Sequence, residues 1–226
     1  MRLPIFSLFV ACLFVTPLMA QKTKDTTPAK FFLESEPDGW SDLLDKDLKN
    51  WRRVSIPPKS RLGENPWKVS ADGKTLICDS GGGVVHEMLL CDRELADGII
   101  HVEWKFTRNE RKPGYSSGLY VRNSADGSIH HSTHLGASNV GGLGGKTLVS
   151  DKPKLFGSAR KGVERVKDPC EWNTCEIVCK GTTLSMWVNG HQTTEWTKCE
   201  VPKGYFGVEG QGWLIEFRNL KWKENK

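Results

Sequence analysis

An all-β sandwich or jelly roll of antiparallel strands is what this 226-residue sequence predicts. Three observations carry that prediction. Apolar and polar residues alternate with a period of two through most of the chain after Trp67, the pattern of a strand with one packed face. Turn-forming Gly, Asn and Pro residues separate these runs at short intervals. No stretch shows sustained helical periodicity with caps. Many short alternating strands joined by turns pack as two antiparallel sheets.

The first twenty residues, "MRLPIFSLFVACLFVTPLMA", put one Arg before an apolar run that closes on Ala20 ahead of polar "QKTKDTTPAK", the form of a secretory signal peptide. Residues 1–20 are therefore expected to be removed, leaving no stable membrane span and a secreted or periplasmic protein. A retained membrane span or a lipid on Cys12 are the competing readings. Residues 21–30 read as a disordered linker and residues 31–226 as a single domain. Six of the seven cysteines remain after cleavage, an even number in a compartment where disulfides form. Cys175 and Cys179 alternate with Ile177 and read as small core residues. Cys78 and Cys91 flank "DSGGGVVHEMLL", whose glycines suit a turn, so these two are expected to meet across a hairpin as a disulfide.

"SIPPKSRLGENP" is a Pro-containing loop between Trp51 and Trp67. "GIIHVEWKF" directs Ile100, Val102, Trp104 and Phe106 inward and His101, Glu103 and Lys105 outward. "SGLYVR" directs Leu119 and Val121 inward and Tyr120 and Arg122 outward. "TTLSMWVNGHQTTEW" is a hairpin around Asn189-Gly190, and "YFGVEG" and "WLIEFRNLKW" are further strands. The outward set is polar: Glu103, Tyr120, Arg122, Glu209 and Arg218. Such residues are either a solvated sheet face or, on a sheet that curves, the lining of a groove.

"SIHHSTHLG" holds His130, His131 and His134, half of the chain's six histidines. Alternation puts His131, Thr133 and Leu135 on the packed face, which makes His131 a hydrogen-bonded core residue. His130, Ser132 and His134 face outward, where an imidazole can take a proton or bind metal through a neutral nitrogen. A net charge of +5 without a basic stripe excludes a nucleic-acid surface. Nine tryptophans against three tyrosines offer aromatic faces for sugar rings, though buried tryptophans fill a β core equally well.

The segments "LLDKDLKNW", "GGGVVHEMLLCDRELADGIIHVEWKF", "SSGLYVR", "EWNTCEIVCKGTTLSMWVNG" and "GYFGVEGQGWLIEFRNLKWKE" together resemble the 3-keto-disaccharide hydrolase-like domain family, over residues Phe31 to Glu224 and in the expected order. The resemblance implies a concanavalin A-like jelly roll in an exported bacterial protein that cleaves glycosidic bonds of sugars already oxidised to a ketone at C3. It further implies a divalent metal ion as electrophile in some members. The family pattern of Tyr or His, Glu or Gln, an apolar residue, Gln and an apolar residue falls here on His131, Ser132, Thr133, His134 and Leu135. Ser132 and His134 thus replace the usual side chains at two outward positions, and a serine cannot act as a carboxylate base. On this reading Glu103 or His134 is the base and Tyr120 a proton donor, while Arg122, Ser132, Trp172, Glu209 and Arg218 contact the carbohydrate. The competing reading is a lectin-like carbohydrate-binding module in which Trp172 or Trp213 stacks on a sugar.

Overall fold

The computed structural model describes residues 28–79, 86–107, 114–136, 140–162 and 165–225. The expected signal peptide, most of the linker and the glycines of residues 81–83 lie outside these. Nearly all of the regular secondary structure among the described residues lies in two antiparallel sheets. The eight-stranded sheet contains β1 (Trp40–Asp42), β3 (Trp67–Val69), β4 (Thr75–Cys78), β6 (Gly98–Phe106), β11 (Asn173–Lys180), β12 (Thr183–Val188), β13 (His191–Trp196) and β15 (Ile215–Glu224). Its order is β13-β12-β11-β6-β15-β4-β3, with β1 also beside β15. The seven-stranded sheet contains β2 (Trp51–Ser55), β5 (Glu87–Leu95), β7 (Gly118–Asn123), β8 (His130–His134), β9 (Leu143–Val149), β10 (Lys152–Ser158) and β14 (Gly204–Gly210), in the order β10-β9-β8-β7-β14-β5-β2. A single helical turn, α1 (Phe32–Ser35), precedes them. No helix among the described residues is long and apolar enough to cross a membrane.

The inner faces of both sheets form one core that includes Trp104, Trp222, Phe206, Phe217, Leu76 and Leu119, all at most 2% exposed. The expected inward sets hold: Ile100, Val102, Trp104 and Phe106 are buried, as are Cys175, Ile177 and Cys179. Asn189 and Gly190 take φ of 46° and 80°, the left-handed pair that a two-residue hairpin between β12 and β13 requires.

The expected Cys78–Cys91 hairpin does not form. Cys78 ends β4, beside Ile215 and Trp67 of the eight-stranded sheet, whereas Cys91 lies in β5, opposite Trp51 of the seven-stranded sheet. The chain between them passes from one layer to the other, so both side chains are buried thiols rather than a disulfide. Burial raises both thiol pKa values, that of Cys78 to about 12. Neither is a reactive thiolate.

Residues 28–30 are exposed, but the Lys30 N–H donates to Gly190 O at 2.8 Å. Glu176 then accepts the N–H groups of Phe32 and Leu33 at 3.1 and 3.2 Å, which seats α1 on β11.

Candidate functional site

The outer face of the seven-stranded sheet is built from cross-strand rows. In one row Glu209 of β14 lies opposite Met88 of β5, and Gly118 of β7 lies opposite His134 of β8. In the next, Leu90, Gly207, Tyr120, Ser132, Gly144 and Gly157 follow one another from β5 to β10. A third runs His130, Lys146, Leu155.

Glu209 is the unusual member. It belongs to an outward row, yet its side chain is only 7% exposed, and among the described residues no Lys or Arg neutralises it. Its partner is His86, whose Nε2 stands 2.9 Å from Oε1. Burial, followed by the charge of Glu209, pushes the Tyr120 phenol far above its ordinary pKa, so Tyr120 keeps its proton. The other carboxylate oxygen lies over Gly118, where an added Cβ would come within 2.6 Å of Oε2. The glycine leaves room for the charge. Met88, Leu90 and Tyr120, with Val54, Ile56 and Tyr205, form a small apolar patch on this outer face. A carboxylate that orients an imidazole by one nitrogen leaves the other nitrogen as a proton acceptor. The His86 side chain, 40% exposed, is open to solvent and therefore to a substrate.

His86 was missing from the sequence-derived site. The signal was present, because His86, Met88 and Leu90 share one parity. Nothing local, however, showed that β5 lies two strands from Tyr120 with Glu209 between them.

The expected convergence of Glu103, Arg122, His134 and Glu209 does not occur. Glu103 and Arg218 pair with each other across β6 and β15 on the outer face of the other sheet. There the Glu103 carboxylate accepts Arg218 Nε at 2.7 Å and Asn219 Nδ2 at 2.6 Å. Burial would raise its pKa, but the nearby His101 and the hydrogen bonds from Asn219 and Arg218 prevail and hold it at about 2, too low for a base acting near neutrality. His101 sits between Glu103, 3.8 Å from its Nε2, and the fully buried Glu176, with Nδ1 2.9 Å from Glu176 Oε1. Burial opposes its charge, but the two carboxylates win and its pKa is raised. Trp172 is on that side too, its ring covered by Arg218 at 4.0 Å and Lys105 at 4.9 Å.

Arg122 also departs from its expected outward position. Its φ of 49° breaks the alternation of β7, where the register with β14 shifts. The side chain, 1% exposed, reaches Gly181 O, Val201 O and Asp97 Oδ1 at 2.7, 3.0 and 2.8 Å. It joins a β7 end to the β11–β12 turn.

The histidine assignments stand. His131 is fully buried, with Nε2 2.9 Å from Thr147 Oγ1 and Nδ1 3.3 Å from Val121 O, and burial lowers its pKa to about 4. His130 and Ser132 are partly exposed and His134 is exposed. The structure thus brings Tyr120, Ser132, His134 and Glu209 to one face, adds His86, and leaves Glu103, Trp172 and Arg218 on the other.

A catalytic metal ion is commonly held by three protein ligands. Glu209 and His86 are two, and among the described residues no group of three His, Cys, Asp or Glu side chains converges. These residues do not fit a metal centre, and no step below passes through one.

Residues 39–223 match the 3-keto-alpha-glucoside-1,2-lyase-like domain. No curated protein matches the chain. Among solved structures, a presumed glycosyl hydrolase from Parabacteroides distasonis superposes with a TM-score of 0.58 at 18% identity, over 82% of this chain and 99% of its own. The carbohydrate-binding module CBM66 from Bacillus subtilis gives 0.53 at 11% identity, over 76% and 94%. LamAcat from Zobellia galactanivorans gives 0.53 at 12% identity, over 82% and 96%. At such identities the likeness is one of fold, a jelly roll shared by glycosidases and carbohydrate-binding modules.

Proposed function

Because the chain belongs to the 3-keto-alpha-glucoside-1,2-lyase-like family, a jelly-roll domain of glycosyl hydrolase-like or carbohydrate-binding type, we propose that it cleaves the glycosidic bond of 3-keto-glycosides on the outer face of its seven-stranded sheet. The observation that carries this reading is the Glu209–His86 pair, a buried carboxylate without a cation that orients a solvent-open imidazole.

A ketone at C3 acidifies the hydrogen on C2. The free nitrogen of His86 takes that proton, and the C–H electrons form the C2–C3 enolate. Glu209, paired with His86 Nε2, stabilises the imidazolium so formed. Collapse of the enolate restores the ketone, forms the C1–C2 double bond and breaks the bond from C1 to the glycosidic oxygen. The departing oxygen takes a proton, for which His134, opposite Gly118, offers a second imidazole on this face. Water then adds across the double bond, its oxygen to C1 and its proton to C2, for a net hydrolysis.

Incubating the protein with a 3-keto-disaccharide should release free sugar, and His86→Gln should lower turnover by ~10²–10⁴-fold with an unchanged melting temperature. Undiminished turnover in His86→Gln would overturn the assignment of the base. Binding without turnover by the wild type would identify a lectin-like descendant instead.

A further inference from the structure

Glycine weakens a strand, so each strand glycine calls for a reason. Most in this fold have one close by. An added Cβ would strike Trp222 at 2.3 Å from Gly98, Glu209 from Gly118, Arg122 at 2.5 Å from Gly204 and Leu90 at 2.4 Å from Gly207. Gly145 has a φ of +138°. Gly144 and Gly157 have neither reason: the nearest atom to a Cβ on Gly144 is Phe156 O at 3.6 Å, an ordinary contact, and a Cβ on Gly157 would meet nothing within 4 Å. Neither has a positive φ. Nothing among the described residues keeps these two positions bare.

The two glycines face each other across β9 and β10, and they continue the row that begins at Tyr120 and Ser132. Together they extend a floor of exposed backbone from the Glu209–His86 pair to the free edge of the sheet. Three strand spacings separate β7 from β10, about 14 Å. Along one side of this floor run His130, Lys146 and Leu155. Leu155, at 75% exposure, is the exposed large hydrophobic residue among those described. Lys146 faces His130 and Leu155 with no carboxylate partner. Ser132 donates to Gly144 O at 3.3 Å and keeps its oxygen available as an acceptor. The whole is a flat trough bordered on one side by an imidazole, one cation and one apolar side chain, with hydroxyl and carbonyl groups along its floor. Such a surface suits rings whose faces are C–H and whose edges are hydroxyl.

We infer that this trough is a subsite for the leaving-group side of the substrate, and that the substrate class is an oligosaccharide whose further sugar rings lie over Ser132, Gly144 and Gly157 toward the β10 edge. The inference rests on the proposed site at Glu209 and His86 and names the substrate it takes. A side chain on Gly144 would stand up from the floor and lift a ring off it.

The probes are α-1,4- and β-1,3-linked gluco-oligosaccharides of two to five units, tested unoxidised for binding by calorimetry and oxidised at the terminal C3 for turnover. The variant is Gly144→Val, which the open geometry and the β preference of valine allow without loss of melting temperature. In at least one linkage series, affinity should rise tenfold or more from two to four units, and Gly144→Val should abolish that rise. Oligosaccharide binding that depends on length and on Gly144, in a protein that turns over nothing, would sustain the trough and refute the catalytic reading. Turnover with no dependence on length, equal affinity in Gly144→Val, or no binding of any oligomer in either linkage would overturn the trough.

Discussion

Single residues set the chemistry of this site by how much room they leave. Gly118 is a case in point, because the Glu209 carboxylate occupies the space where its Cβ would be. Gly118→Ala should shift that carboxylate and lower turnover by roughly 10²-fold, since displacements of ~1 Å can cost that much. Steady-state kinetics on a 3-keto-disaccharide would check it. His131 shows the same logic inside the core. Its folded pKa of about 4 lies below the ordinary 6.5, so the unfolded chain binds a proton that the folded chain refuses. The contribution is fully present above pH 6.5 and is lost as pH falls toward 4, by at most about 1.4 kcal/mol per pH unit. Denaturant titrations between pH 7 and 4 should show that slope, and His131→Asn should flatten it. The raised pKa of His101 acts in the opposite sense, its contribution being lost as pH rises through the folded value. The inward place of His131 was legible from alternation alone. That of Arg122 was not, because a left-handed φ at one residue cancels the parity on which alternation depends.

Among strands, alternation says which residues face outward but not which of two outer faces they reach. Glu103 and Glu209 are both outward carboxylates with similar sequence surroundings, yet the hydrogen-bonding order of the sheets puts them on opposite sides of the molecule. Sheet membership depends on pairings between strands distant in sequence, such as β6 with β15, and no local pattern encodes it. The same cause defeated the Cys78–Cys91 hairpin, because β4 and β5 belong to different sheets. The Asn189-Gly190 hairpin was readable because its turn chemistry is local. This difference yields a direct comparison. Glu103→Gln weakens a charge-assisted contact with Arg218 and should cost about 1–3 kcal/mol of stability while leaving turnover within twofold. Glu209→Gln should do the reverse, with a large loss of turnover and a small change in melting temperature. Parallel thermal and kinetic measurements separate the two carboxylates.

The molecule as a whole is held by one apolar core between two sheets, and its buried cysteines serve as small apolar residues within it. Reductant should therefore leave the melting temperature within about a degree, and Cys78 and Cys91 should react with a thiol reagent only after denaturation. The resemblance had already pointed to the jelly roll, and most strands were visible as alternating runs. The site was half visible, with Tyr120, Ser132, His134 and Glu209 recognised as outward residues while His86 waited on the sheet order. The seating of α1 gives the domain a front and a back. Lys30 bonds the β12–β13 turn, and Phe32 and Leu33 are gripped by Glu176, so the chain arrives on the outer side of the eight-stranded sheet. Whatever is joined ahead of residue 28, whether a purification tag or a tether to a chip, meets the domain from behind. A protein immobilised that way is held on the side of its eight-stranded sheet and turns the outer face of the seven-stranded sheet toward the solution.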